Sequence, residues 1–360
     1  MIKKRKDMNE FRSKRELQKY VGDYSQVFGI KDYTFNSGKA KGVRALEVKN
    51  GKGIEMTILA DKALDIPYLS FNGINIGFMS KTGICAPTFY CENGSKGFMQ
   101  NFDAGFLTTC GLTYMGSACE DNGEKLGLHG PLANTPAEDI IATTEWKNDI
   151  AYMKIAGTMK EACVLDMFIT LEREIQINCN ENKLIIKDII TNRGFKEEPL
   201  MLLYHMNFGY PFLDKDTRVY TNLEKVVPRD EVSKKEIDKC FEFEEPIIGY
   251  EEKVYSCITD NKNKELGKAF IHNKNLDIGI GIKFSLKMLP WLNYWKCPRA
   301  GDYVLGIEPG TCNVSGRDKA RRENTLQFIQ PGEEKEYEIE IEFIDSKEII
   351  ENSIHDISLN

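Results

Sequence analysis

The most constraining feature of this chain is a strict two-residue alternation in Glu336-Tyr337-Glu338-Ile339-Glu340-Ile341-Glu342-Phe343. Successive side chains of a strand point to opposite faces, so this segment turns its carboxylates to one side and its apolar groups to the other. That is the pattern of a strand buried on one side only. Looser versions recur in Ile150–Ile155, Phe168–Ile177, Leu184–Thr191 and Ile278–Phe284. From about Gly42, Val43, Ala45, Glu55, Met56, Ile58 and Leu59 fall in short runs, broken at the favoured hairpin turns Asn50-Gly51 and Asn72-Gly73. Strands do not alternate with long helical segments, so a parallel sheet is not expected. The pattern predicts an all-β chain with a few short helices, folded as a large antiparallel β-sandwich.

A length of 360 residues would accommodate two domains, yet all-β domains often run this large. No repeat or long linker divides the chain. The expected organisation is an N-terminal helical extension over 1–30, a single sandwich domain over 31–345 and a C-terminal tail over 346–360. Phe11 to Tyr20 is helix-compatible, with Leu17, Tyr20 and Val21 as a modest apolar face. The tail after Asp345 is expected to pack as a short helix or to fray. Pro228 to Glu245, rich in Lys, Asp and Glu, reads as a solvated loop or an excursion helix.

The net charge of -7 argues against nucleic acid or an anionic membrane surface as a partner. The basic start, Met1 to Met8, is followed by no apolar stretch, so neither a signal peptide nor a membrane-spanning helix is expected. Ten cysteines occur without a Cys-x-x-Cys pair or zinc spacing. Reduced, mostly buried thiols and a cytoplasmic location are the corresponding expectations. Either a monomer or a homodimer is compatible with the pattern.

Motifs for several chemistries are missing. There is no phosphate-binding Gly-x-x-x-x-Gly-Lys loop, no Gly-x-Ser-x-Gly elbow and no His-Glu-x-x-His. Gly279-x-Gly281 lacks the third glycine and the helix of a dinucleotide fingerprint. Two of only four histidines sit beside glycine or near it, in Gly127-Leu128-His129-Gly130 and Tyr204-His205-Met206-Asn207-Phe208-Gly209. Downstream, Gly306-Ile307-Glu308-Pro309-Gly310 adds a carboxylate in a similar setting. Such flanks favour strand ends and turns that face a cleft. Two imidazoles and a carboxylate make a workable acid/base set, with no metal or organic cofactor expected.

These three motifs, together with Gln330-Pro331-Gly332-Glu333 before the last strand, resemble the aldose 1-epimerases, or galactose mutarotase-like proteins, over about residues 40 to 345. With Ala60-Asp61-Lys62-Ala63-Leu64-Asp65-Ile66 and Phe102–Leu112, the chain resembles a poorly characterised branch of that superfamily. The site motifs also depart from the well-studied enzymes, with Pro131 after His129-Gly130 and Met206-Asn207-Phe208 after His205. The resemblance implies a β-sandwich in which Glu308 takes the proton of a sugar's C1 hydroxyl. His205, held protonated by the nearby carboxylate, would protonate the ring oxygen, and His129 would position the ring oxygen or a neighbouring hydroxyl.

Further substrate-binding candidates are Asp61 and Lys62, which could reach sugar hydroxyls or form an exposed turn, and Asp103, Asn207 and Trp295. Trp295 is chosen over Trp291 and Tyr294 as the ring that stacks on a pyranose. Arg317, in the cluster with Arg321 and Arg322, could pair an acidic group on the sugar or belong to a solvated loop. His272 and His355 read as surface residues. The expected activity is anomer exchange of a free monosaccharide. Alternatives are a carbohydrate-binding protein or sugar sensor without catalysis, and an aldose–ketose isomerase.

Overall fold

The computed structural model describes residues 13–358. Two large sheets dominate it, one of twelve strands and one of eight, and every strand pair within them is antiparallel. This is the large antiparallel sandwich that the alternation predicts.

In the eight-stranded sheet, the strand Glu334–Ile344 lies between Lys183–Asn192 and Ile278–Ser285. Tyr337, Ile339, Ile341 and Phe343 enter the core. Its acidic face is matched by lysines on both neighbours: Lys187 meets Glu338 at 3.2 Å, and Lys183 and Lys283 meet Glu340 at 3.2 and 2.8 Å. Like charges along one strand are thus offset by opposite charges across the ladder.

The strand Glu198–Phe208 of the larger sheet does not alternate, because both of its faces are covered. Leu200, Leu202, Tyr204, Met206 and Phe208 enter the core between the sheets. Met201 and Leu203 join a second cluster on the opposite face with Phe98, Phe102, Cys110, Val254 and Val314. The outer face of the large sheet is therefore roofed over near this strand, and the roof makes a cavity possible.

Between the sheets lies a buried polar network. Arg173 makes a two-pronged contact with Asp188 at 2.9 and 2.7 Å and donates to Asp65 at 3.2 Å and Thr109 at 2.8 Å. The Tyr204 hydroxyl donates to Asp188 at 2.7 Å. Burial pushes the Asp65 carboxyl up to about 7, opposed by Arg173 and Thr109.

Within the described residues the N-terminal helix is the single turn Lys14–Leu17, and the first strand, Gly29–Thr34, already pairs with Arg44–Lys49. The rest of the expected N-terminal extension, residues 1–12, lies outside the described residues. The tail forms the helix Lys347–Ser358, which buries Ile350 and Ile357 beside Phe270 and Ile344. Of its two expected forms, the charged excursion after Pro228 takes the helical one in part, and it is tied down against the sheet. It contains the short helix Glu231–Lys234, buries Cys240 and Phe243, and is bridged by Lys296 to Glu244 at 3.0 Å. All ten cysteines are free, and seven are buried. Among the described residues no helix is long and apolar enough to cross a membrane.

Candidate active site

Register places the first two site residues. Glu198–Phe208 pairs with Asp302–Gly310 so that Leu203 faces Gly310 and Met206 faces Ile307, which sets His205 opposite Glu308. Both point to the roofed side of the sheet, and their closest atoms, His205 Nε2 and Glu308 Oε1, are 3.3 Å apart. The alignment is not that of a hydrogen bond, and Glu308 Oε1 and His205 Nδ1 are left unpaired. Glu308 is 2% exposed and His205 4%.

Gly306 makes the arrangement possible. A Cβ there would lie 2.3 Å from Glu308 Oε1, so the bare backbone leaves the carboxylate its place. On the next strand, Trp291–Arg299, Trp295 faces Gly306 and its ring stands edge-on to His205, 5.6 Å between centroids.

His129 comes from a loop. It adopts a left-handed backbone, φ 62°, which is sparsely populated for a residue with a side chain. Its N–H donates to Gly116 O at 2.9 Å, and its carbonyl accepts from Gly111 N at 3.1 Å. These bonds hold the ring 5.6 Å from that of His205. Phe98 packs against His129 and Phe102 against His205, at 4.9 and 5.3 Å.

The result is a cavity of about 380 Å³ with His129, His205 and Glu308 in its wall. This is the size of a small-ligand site. Arg229 and Glu252 stand exposed at the mouth, 3.3 Å apart, and Glu252 also accepts from Trp295 Nε1 at 2.9 Å. Among the described residues no His, Cys, Asp and Glu group is arranged to hold a metal ion.

Burial governs the protonation of this site. It pushes the Glu308 carboxyl up to about 8, reinforced by Glu252 and opposed by Arg229. Burial likewise holds His205 well below the usual imidazole range, aided by His129, and holds His129 down at about 4, aided by Arg229. Burial therefore works against the protonated His205 that a neighbouring carboxylate would favour. Desolvation penalises both charged forms, which favours the neutral imidazole and the protonated carboxyl.

Of the nine residues expected at the site, the structure brings His129, His205, Glu308 and Trp295 to one cavity. Asn207 lies beneath it, donating to Ala104 O at 3.2 Å and to His205 O at 2.9 Å, so it holds the strand and does not face substrate space. Lys62 and Asp103 are not free to reach sugar hydroxyls. They form a buried ion pair at 3.3 Å, Lys62 also bonding Asn101 O and the Asn134 side chain. Asp61 accepts from Arg44 N at 2.8 Å, away from the cavity. Arg317 is buried against Asp121 at 2.8 Å, with Glu124 as a second partner, so its charge is already met.

Arg229, Glu252, Phe98 and Phe102 were not foreseen. Phe98 and Phe102 fall in an uncharged run that hinted at burial. Arg229 and Glu252 carried no local signal, since the folding of the excursion brings them together.

A family model described as a domain of unknown function, DUF4432, matches residues 40–343. The chain belongs to the DUF4432 family. This DUF4432 protein is similar in structure to a candidate aldose 1-epimerase from Klebsiella pneumoniae subsp. pneumoniae MGH 78578. The TM-score is 0.87 at 22% identity, covering 96% of this chain and 90% of the other. A galactose mutarotase-like protein from Clostridium acetobutylicum follows at 0.63 and 15% identity, over 89% of this chain and 100% of that one. The galactose 1-epimerase of Lactobacillus acidophilus NCFM matches at 0.58 and 12% identity, over 88% and 99%. These likenesses establish the shared fold. None of the curated proteins is similar to the chain in sequence.

Proposed function

We propose that this DUF4432 protein is a mutarotase that exchanges the anomers of a free monosaccharide by acid/base ring opening. The observation that carries the reading is the opposed pair of His205 Nε2 and Glu308 Oε1, 3.3 Å apart in the wall of a monosaccharide-sized cavity.

Anomer exchange moves one proton from the C1 hydroxyl and delivers one to the ring oxygen. The C1–oxygen bond breaks, a carbonyl forms at C1, rotation about C1–C2 turns its other face, and closure returns the protons. The protein must supply one donor and one acceptor at the anomeric centre. Burial raises the Glu308 carboxyl to about 8 and lowers His205, which favours a protonated carboxyl beside a neutral imidazole, and such a pair offers one donor and one acceptor. In the assignment that the family resemblance suggests, Glu308 accepts and His205 donates. This requires the proton to pass from Glu308 to His205 as the sugar displaces water. His129 supplies a second contact at the ring oxygen, and Trp295 a face for the pyranose ring.

The test adds purified protein to a freshly dissolved pure anomer and follows optical rotation across a panel of aldoses. Accelerated exchange without deuterium uptake at C2 supports the reading. Uptake at C2 with ketose product would replace it with an aldose–ketose isomerase, and saturable binding without exchange with a sugar sensor.

A further inference from the structure

The rings around the proton-carrying pair point to the class of sugar. Resting on the mutarotase reading, we infer that the preferred substrate is a neutral 6-deoxyaldose, whose C5 methyl sits among Phe98, Phe102 and Trp295 and whose ring hydroxyls meet Arg229 and Glu252.

A pyranose with its ring oxygen at His205 has C5 bonded to that oxygen, so the C5 substituent falls among the groups packed about the imidazole. Those groups are Phe102 at 5.3 Å, stacked at 4.8 Å on Phe98, and Trp295 at 5.6 Å. Phe98 and Phe102 carry no polar atom, and the one donor on Trp295, Nε1, is taken by Glu252 at 2.9 Å. His205 and His129 are occupied by the reacting oxygens. A hydroxymethyl group here would bury a hydroxyl without a partner, whereas a methyl group fits the same wall with nothing unsatisfied.

The other polar side chains of the lining are Ser117, whose hydroxyl donates to Val314 O at 3.2 Å, the exposed Ser95, and the pair Arg229 and Glu252 at the mouth. The guanidinium of Arg229 and the carboxylate of Glu252, 3.3 Å apart, offer a donor and an acceptor side by side, a match for hydroxyls on neighbouring ring carbons. A carboxylate or phosphate on the sugar would instead meet Glu252, while the positive charge of Arg229 is already shared between Asp230 at 3.0 Å and Glu252. Acidic sugars are therefore disfavoured.

Matched pairs isolate the methyl group. Anomer exchange is measured by NMR for L-fucose against L-galactose, 6-deoxy-D-glucose against D-glucose, and D-glucuronate as the charged counterpart. In the pair that is turned over faster, the 6-deoxy sugar is expected to exceed its parent in kcat/KM by about 10- to 100-fold, with glucuronate slowest. A parent hexose equal to or faster than its deoxy partner, or glucuronate fastest, overturns the inference.

Calorimetry with 1,5-anhydro-L-fucitol and 1,5-anhydro-L-galactitol, which cannot open, reads the wall without the chemistry. Tighter binding of the fucitol supports the assignment, and equal or weaker binding overturns it. Failure of every sugar to exchange sinks the mutarotase reading instead, a result distinct from exchange with the opposite preference.

Discussion

At the residue scale the site depends on where one proton sits and on what leaves room for the carboxylate that holds it. With Glu308 raised to about 8, kcat/KM is expected to fall about tenfold per pH unit above pH 8, as the pair loses its only proton. A profile flat to pH 10 would contradict this. The same shift has a stability consequence. The folded state holds the Glu308 proton between about 4.5 and 8 where the unfolded chain has lost it, so this group's contribution to stability is lost as pH rises through that window. Glu308→Gln removes the liability, and its Tm is expected to exceed that of the wild type at pH 8.5 but not at pH 4.5. Gly306→Ala puts a methyl group where Glu308 Oε1 lies, 2.3 Å away, and Trp295 Cβ is only 3.0 Å off on the other side. Displacing the carboxylate by about an ångström is expected to lower kcat/KM by roughly a hundredfold. Full activity in that variant would show that Glu308 is not held against the backbone as described.

At the element scale, strands were readable where one face is polar and obscure where both are buried. Glu334–Ile344 announces itself because Glu338 and Glu340 face solvent-side lysines while Ile339 and Ile341 face the core. His205 lies on a strand covered on both sides, so its environment could not be read from alternation. Its pairing with Glu308 is a matter of register between strands far apart in sequence. The charged excursion after Pro228 was legible only in part for a related reason. Its composition suits solvent, yet Arg229 near its start and Glu252 beyond its end flank adjacent strands, with Arg229 N donating to Val254 O at 2.9 Å, and line the cavity. The Arg229–Glu252 pair is exposed, so it adds no more than about 1 kcal/mol to stability. Arg229→Met is therefore expected to raise KM several-fold with little change in Tm. A large loss of Tm with KM intact would make the pair structural.

At the scale of the whole molecule, the two sheets are linked by Arg173, whose partners Asp188 and Asp65 belong to different sheets. Removing one member of a buried, hydrogen-bonded set leaves uncompensated charge, so Arg173→Met is expected to cost about 3–5 kcal/mol in urea unfolding. A cost under about 1 kcal/mol would show that the network is not needed to join the sheets. The same network bears on the site, because Tyr204 donates to Asp188 on the core side of the strand whose opposite face carries His205. The sandwich thus places His205 and Glu308, one on each of two adjacent strands, in the wall of one cavity.

That claim is tested most directly by the rate at which a fresh anomer of a 6-deoxyaldose equilibrates with and without Glu308. The wild type is expected to accelerate exchange, and Glu308→Gln, still folded, to lose about 10²- to 10⁴-fold of the acceleration. Equal rates for the two proteins would contradict the account.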